Sequence, residues 1–180
     1  MDYAEDRREG MSGTELFVRD LALCLSVHRD RGPALVWPDG VDAVLSEGDG
    51  VRRGRTAPPP EPGPDSEPDG VAAGTARLTS GLGELLGCRV GSSYVTLHTG
   101  AQSTGNTAAT DLVLLPVRGS CGGRVEPPPP GRTRAVLDRA LELRLRVGEA
   151  LYVPSGFGYA LNGAHSPCTL LVLALHPPAW

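Results

Sequence analysis

The stretch Gly148–Tyr159, which reads GEALYVPSGFGY, combines a short apolar run with turn residues on both sides. A glycine and an acid precede a short apolar run, and Pro154 and Gly156 then interrupt it. A brief apolar segment between turn residues is typical of a strand in an antiparallel barrel or sandwich. We therefore predict a strand at Ala150 to Pro154 within a mainly β domain.

The composition of the 180 residues supports short strands over long helices. Hydrophobic residues make up 40% of the chain and suffice for one buried core, while 24 glycines and 17 prolines indicate many turns. The charge of -4 includes no lysine, and the arginines form no basic stripe, so we expect neither a Schiff-base lysine nor nucleic-acid binding.

The compartment follows from two further observations. No apolar stretch approaches the roughly 20 residues that cross a bilayer, and the acidic start lacks the pattern of a signal peptide, so we expect no membrane association. The four cysteines are far apart and form no C-x-x-C pair, which predicts neither a zinc site nor a disulfide framework. A cytoplasmic protein with reduced thiols is expected.

The chain divides into three parts. Residues 1–47 are predicted to hold a helix from the capping box at Ser12 to about His28, a short strand at Ala34–Trp37 and another brief element at Val41–Leu45. Residues 48–74, rich in proline, glycine and charge, predict a linker or long surface loop. Residues 75–180 begin with a helix to Leu86 and continue as the β domain.

Strands of the β domain are predicted from short apolar runs bounded by turn residues. They cover Arg89–His98, Asp111–Val117, Leu141–Val147, Ala150–Pro154 and Cys168–His176, with a short helix over Thr133–Arg139.

The order of motifs from Leu78 to Pro177 resembles bacterial JmjC-like cupins of the ribosomal-oxygenase type, the cupin-4 family. The motifs include the strand YVTL from Tyr94, the run DLVLL from Asp111 and the segment GEALYVPSGF from Gly148. The resemblance implies a double-stranded β-helix, or jelly-roll barrel, with N-terminal helices. It also implies hydroxylation of protein side chains with Fe(II) and 2-oxoglutarate.

The ligand positions of that family carry the wrong residues here. Such oxygenases need two histidines and one carboxylate around the iron. By the resemblance these positions fall on Asn106, Ala108 and Tyr159, an amide, a methyl and a phenol. Small residues replace the basic residue that pairs with 2-oxoglutarate, with Arg124 as a substitute nearby. We therefore expect no metal and no cofactor.

Other residues are candidates for the vacated pocket. Tyr159, which the resemblance directs inward, could bind a ligand or transfer a proton, and Asp111 and His98 are further acid–base candidates. Cys121, in a segment predicted to be flexible, completes the pocket set with Asn106, Ala108 and Arg124, although an inert thiol is preferred.

Three functional readings stay open, and with them the question of whether the chain is an enzyme. The leading one is a catalytically degenerate cupin that binds a peptide, protein or small molecule. The second is a metal-independent tailoring enzyme, of cyclase or isomerase type, that uses the old cavity. The third is an iron hydroxylase with atypical ligands. The resemblance also leaves a homodimer open.

Overall fold

The computed structural model describes residues 11–29, 31–49, 69–103, 105–128, 139–162 and 166–178. Its first helix, α1 (Gly13–His28), confirms the predicted capping box. The Ser12 hydroxyl accepts a hydrogen bond from the Glu15 backbone N–H, and the Glu15 carboxylate accepts one from the Ser12 N–H. These bonds satisfy backbone donors that the first turn of a helix leaves free.

Two further helices follow, and both exceed their predicted lengths. The brief element expected at residues 41–45 is a helix, α2 (Val41–Asp49), and the next helix, α3 (Asp69–Leu86), begins before Thr75. Both helices therefore extend into the range predicted as a linker, whose central residues 50–68 lie outside the described residues. Gly87, in the left-handed region, ends α3 as its sequence predicts.

Within the described residues, nine strands form two antiparallel sheets. The five-stranded sheet has the order β1-β7-β4-β9-β2, and the four-stranded sheet has the order β3-β8-β5-β6. Their bounds are β1 (Ala34–Val36), β2 (Arg89–Leu97), β3 (Asn106–Thr107), β4 (Asp111–Arg118), β5 (Ser120–Glu126), β6 (Leu141–Arg146), β7 (Ala150–Val153), β8 (Gly158–Asn162) and β9 (Cys168–His176).

The five longer predicted strands are confirmed to within one residue at either end, whereas β3, β5 and β8 were not predicted. The predicted helix at residues 133–139 falls almost entirely outside the described part of the chain. In the described residues, no helix combines the length and the apolar character needed to cross a membrane.

The chain passes repeatedly between the two sheets, which gives the fold its class. Strands β2, β4, β7 and β9 belong to one sheet, and β3, β5, β6 and β8 to the other. Two four-stranded antiparallel layers connected in this way form a jelly roll, or double-stranded β-helix. The fold is therefore mainly β, as the sequence predicts, with β1 added at one edge and the helices N-terminal to the barrel.

Two hydrophobic cores stabilise the molecule. The helix–sheet core lies between the helices and the five-stranded sheet, and contains Phe17, Leu21, Leu82, Val113 and Leu173. The barrel core lies between the two sheets, and its members include Leu112, Leu114, Cys121, Val125, Leu145, Phe157, Leu161, Cys168 and Leu170. Because β4 contributes Val113 to one core and Leu114 to the other, alternate residues of the central sheet face opposite sides.

Candidate functional site

Strands β3 and β8 bring together the three positions at which the resemblance places iron ligands. Asn106 lies directly opposite Tyr159 in the antiparallel ladder, so their side chains share one face of the sheet. Tyr159 packs against the barrel core, two residues before the buried Leu161. Ala108, which follows β3, is only 2% exposed and belongs to the same core. All three residues therefore lie on the barrel-facing side of the four-stranded sheet.

The backbone around Ala108 is held on both sides. Its N–H donates to the Phe157 carbonyl at 2.9 Å, and its carbonyl accepts from the Gly156 N–H at 2.8 Å. Gly156 has a φ of 85°, which favours glycine at this turn. The turn after β7 thus fixes the segment that would carry an iron ligand in the resembling family.

The donor set at these positions does not fit an iron centre. An amide, a methyl group and a phenol replace the two imidazoles and the carboxylate that hold Fe(II) in such oxygenases. Elsewhere in the described ranges, no group of three His, Cys, Asp or Glu side chains is placed to hold a metal ion. The buried side chains of the described residues are also all apolar, apart from the Tyr152 hydroxyl and the two buried thiols.

Arg124 lies outside the pocket in which the sequence analysis placed it. Along β5, Cys121 and Val125 point into the barrel core, so Arg124 points to the opposite face, where 48% of its side chain is exposed. Its guanidinium contacts Glu126 at 2.9 Å and Glu142 at 3.7 Å. Arg124 therefore belongs to a surface ion-pair network on the face of the four-stranded sheet opposite to Tyr159.

Cys121 is in the barrel, but its surroundings differ from the flexible segment expected from its neighbours. It lies in β5 opposite Leu145, and its side chain is almost fully buried. Burial raises the pKa of the Cys121 thiol to about 12, with a further increase from the adjacent Cys168 thiol. A thiol that stays protonated is a poor nucleophile, so this environment opposes reactivity.

Asp111 faces the helices rather than the barrel. It has the same orientation along β4 as Val113 of the helix–sheet core, and its side chain is 15% exposed. One carboxylate oxygen accepts from the Ser155 N–H at 2.9 Å, and the other lies 3.4 Å from the Arg29 Nε. Asp111 and Tyr159 therefore lie on opposite sides of the five-stranded sheet.

His98 is exposed just beyond the end of β2. Its carbonyl accepts a hydrogen bond from the Ala101 N–H at 3.0 Å, which closes the turn after the strand. Of the three acid–base candidates, only Tyr159 has its side chain against the barrel core.

Ser103 contributes to the site and was missed by the sequence analysis. Its hydroxyl accepts from the Leu161 N–H at 2.8 Å, and its own N–H donates to the Leu161 carbonyl at 2.8 Å. These two bonds attach the segment before β3 to β8, next to Tyr159. A serine in a run of Gly, Ser, Thr and Ala carries no signal in sequence that distinguishes it from its neighbours.

A groove of about 600 Å³ lies outside the barrel, between the last turns of α3 and the start of β2. Glu84 and Arg89 supply its charges, and Gly83 and Gly87 are also among its lining residues. The groove is separate from the ladder position of Tyr159, because its lining residues come from α3, the beginning of β2 and Pro178.

Comparison with known proteins finds solved structures that resemble part of this chain. No family model and no curated protein matches the chain. The cupin domain of Drosophila melanogaster CENP-C is 16% identical, with a TM-score of 0.39 over 47% of this chain and 59% of that domain. Oxalate decarboxylase from Lactobacillus farciminis is 13% identical, with a TM-score of 0.41 over 51% of this chain and 25% of that enzyme. Vicilin from hazelnut, Corylus avellana, is 15% identical, with a TM-score of 0.42 over 51% and 25%.

This chain spans less than two thirds of the length of each of these three structures. The order of its own strands defines the class to which it belongs, that of cupin-fold proteins. A shared fold does not specify a shared function, so the function has to be argued from the residues of the site.

Proposed function

We propose that this protein is a metal-independent, JmjC-like cupin that serves as a binding module for a peptide or protein and has lost oxygenase chemistry. The observation that carries the proposal is the register of β3 and β8, which puts Asn106 opposite Tyr159 beside the buried Ala108. The three ligand positions implied by the resemblance thus adjoin in space, and none offers an imidazole or a carboxylate.

The filling of the barrel supports a ligand bound outside it. Phe157, Leu114 and Leu170 are almost fully buried between the sheets, so large apolar side chains occupy the barrel interior. Small-molecule sites usually combine an apolar cavity with a few convergent polar groups. Here Tyr159 is half-buried against the barrel core, Asn106 is exposed at the edge of the same sheet, and the described groove lies elsewhere.

The positions of the acid–base candidates weigh against the metal-free enzyme. Asp111 is held by Ser155 and Arg29 on the helix side of the five-stranded sheet, and His98 is exposed in a turn. General acid–base catalysis needs its groups within hydrogen-bond reach of one substrate. A phenol alone at the inner face gives a weaker basis for catalysis than for packing or ligand contact.

Compartment and state of the thiols form part of the same proposal. All four cysteines, Cys24, Cys88, Cys121 and Cys168, are free. Free thiols persist in reducing compartments, which supports a cytoplasmic module.

The proposal is tested by anaerobic loading with Fe(II), followed by metal analysis and an assay for succinate from 2-oxoglutarate. The wild-type chain should retain substoichiometric iron and form no succinate above background. Stoichiometric iron with turnover would contradict the proposal and support the hydroxylase reading.

A matched variant makes a negative result informative. The triple variant Asn106→His, Ala108→Asp, Tyr159→His restores the residue types that the resembling family uses. It should bind Fe(II) more tightly than the wild type, because the ladder already places the three positions together. If the folded variant binds no more iron than the wild type, these are not the former ligand positions.

A further inference from the structure

The two sheets present four edges, and three of them carry features that block pairing with another strand. Strand β1 has three residues between Pro33 and Pro38, and β3 has only two residues. Strand β6 points Glu142, Arg144 and Arg146 outward. Short length, flanking proline and charge are the usual means by which sheet edges avoid adding a strand.

The fourth edge, β2, carries none of these features. All nine of its residues pair with β9 in one uninterrupted register, so no bulge twists the strand away. Arg89, at its first position, is its one charged residue, and it contains no proline. Among the described residues, no strand pairs with its outer side. A long, regular, uncharged edge is a template for a further strand.

The sequence of β2 is complementary to itself. If two copies pair antiparallel about a two-fold axis at Ser93, Arg89 lies opposite the partner's Leu97 and therefore meets no like charge. Val95 lies opposite the partner's Gly91, and Tyr94 opposite the partner's Ser92, so these two larger side chains each meet a small one. Such an isologous contact closes with two copies, and β2 of neither copy is then left for further pairing.

We propose that β2 pairs with β2 of a second copy of this chain, which joins the two five-stranded sheets into one continuous sheet across a dimer. The pairing would satisfy the outward N–H and C=O groups of β2. It would also cover Val95 and Tyr94, which are 39% and 37% exposed in the single chain. The Tyr94 hydroxyl already bonds the Thr75 hydroxyl at 2.8 Å, so this side chain is fixed before association.

A peptide from another protein could pair with the same edge. The matching of small and large residues about Ser93 favours a second copy instead, because that match is a property of β2 with itself. The dimer goes beyond the proposed function and does not depend on it, since sedimentation measures association without any metal or ligand.

The test introduces charges at the two-fold axis, where Ser93 lies opposite the partner's Ser93. Sedimentation velocity of the full chain should show a dimer. Ser93→Arg and Ser93→Glu should each weaken the dimer at least about tenfold, because like charges would face each other across the axis. An equimolar mixture of the two variants should recover the dimer, since the facing charges are then opposite.

A matched control variant completes the test, and circular dichroism checks that every variant is folded. Thr107→Arg puts the same charge on the exposed residue of edge β3 and should leave the dimer intact. A wild-type chain that sediments as a monomer overturns the proposal, and an edge free for a peptide is then the remaining reading. A dimer that survives both Ser93 variants, or a mixture of folded variants that stays monomeric, overturns it as well.

Discussion

The central strands β4, β7 and β9 of the five-stranded sheet are covered on both faces, whereas the strands of the four-stranded sheet are buried on one. Strand β7 has four buried residues in succession, and β9 contributes alternately to the helix–sheet core and the barrel core. Strand β6 instead alternates leucines that face the barrel with charged residues that face outward. Most of the apolar surface that drives folding is therefore gathered around the five-stranded sheet.

The difference in burial between the two sheets affects where a substitution can alter the candidate site without unfolding the protein. Asn106 and Tyr159 lie on strands of the four-stranded sheet, away from the helix–sheet core. Substitutions on the sheet that contributes less buried surface alter chemistry with a smaller effect on folding. Under the proposed function, the metal ligands were lost from this sheet while the doubly covered strands of the other sheet keep the fold.

The largest expected effect comes from the doubly buried sheet. Leu173→Ala should lower the free energy of unfolding by about 2–5 kcal/mol, because Leu173 is fully buried between β9 and the helices. Leu143→Ala, on the partly buried face of β6, should lower it by less than half as much. Urea denaturation measures both, and equal losses would contradict the contrast between the two sheets.

The turn that carries the chain from one sheet to the other gives the next effect. Gly119 has a φ of 73°, and a Cβ there would lie 2.5 Å from the Pro167 carbonyl oxygen. Gly119→Ala should destabilise the protein at the upper end of about 1–3 kcal/mol. Gly100 has nearly the same φ, 74°, with nothing within 4 Å, so Gly100→Ala should lose only the smaller backbone term. Thermal denaturation should rank the two variants in this order.

Removal of a charged side chain should lower the free energy of unfolding by a smaller amount, and this amount should differ between the two sheets. Asp111→Ala removes a carboxylate that is mostly buried and bonded to the Ser155 N–H, and should cost about 1 kcal/mol. Arg124→Ala removes exposed ion pairs on the four-stranded sheet and should cost about a few tenths of a kcal/mol. Denaturation of the wild type and of both variants at low and high salt checks this, because salt screens the exposed Arg124 ion pairs. The loss of stability caused by Arg124→Ala should therefore shrink at high salt, whereas the loss caused by Asp111→Ala should change little.

The smallest effect at neutral pH concerns Cys121. Because burial raises the pKa of its thiol from 9.0 to about 12, the folded state keeps its proton while the unfolded state ionises. The free energy of unfolding should therefore be unaffected below pH 9 and fall as the pH rises from 9 towards 12.

Two measurements check the Cys121 prediction. The alkaline loss of stability should be smaller in Cys121→Ala than in the wild type. Iodoacetamide at pH 8 should label the half-buried Cys24 and Cys88 before Cys121, and rapid labelling of Cys121 in the folded protein would refute its burial.

The strands predicted from sequence include all five of the five-stranded sheet but only β6 of the four-stranded sheet. Runs such as LLVLAL in β9 are apolar over their whole length because both faces are covered. The three missed strands all belong to the four-stranded sheet. Strand β3 has two residues, β5 reads SCGGRVE and β8 has five residues after a turn, so their local sequences resemble loops.

The candidate site residues also differ in how far the local sequence could place them. The alternation of β8 is sufficient to put Tyr159 on the face of Leu161, and the resemblance directed it inward. Arg124 and Asp111 were grouped with Tyr159 because they are near the same motifs in sequence, yet a strand turns successive side chains to opposite faces. Which face a residue takes depends on register, which is set by partner strands far away in the chain.

The capped first helix, the apolar strands and the absence of imidazole and carboxylate at three motif positions can be read from the chain alone, because they depend on residue type and local spacing. The three-dimensional arrangement was needed to show that Asn106 faces Tyr159, that Arg124 and Asp111 lie away from it, and that β2 is an unpaired edge with one charged residue. These properties arise from pairing between distant strands, whose energy depends on which faces become buried together.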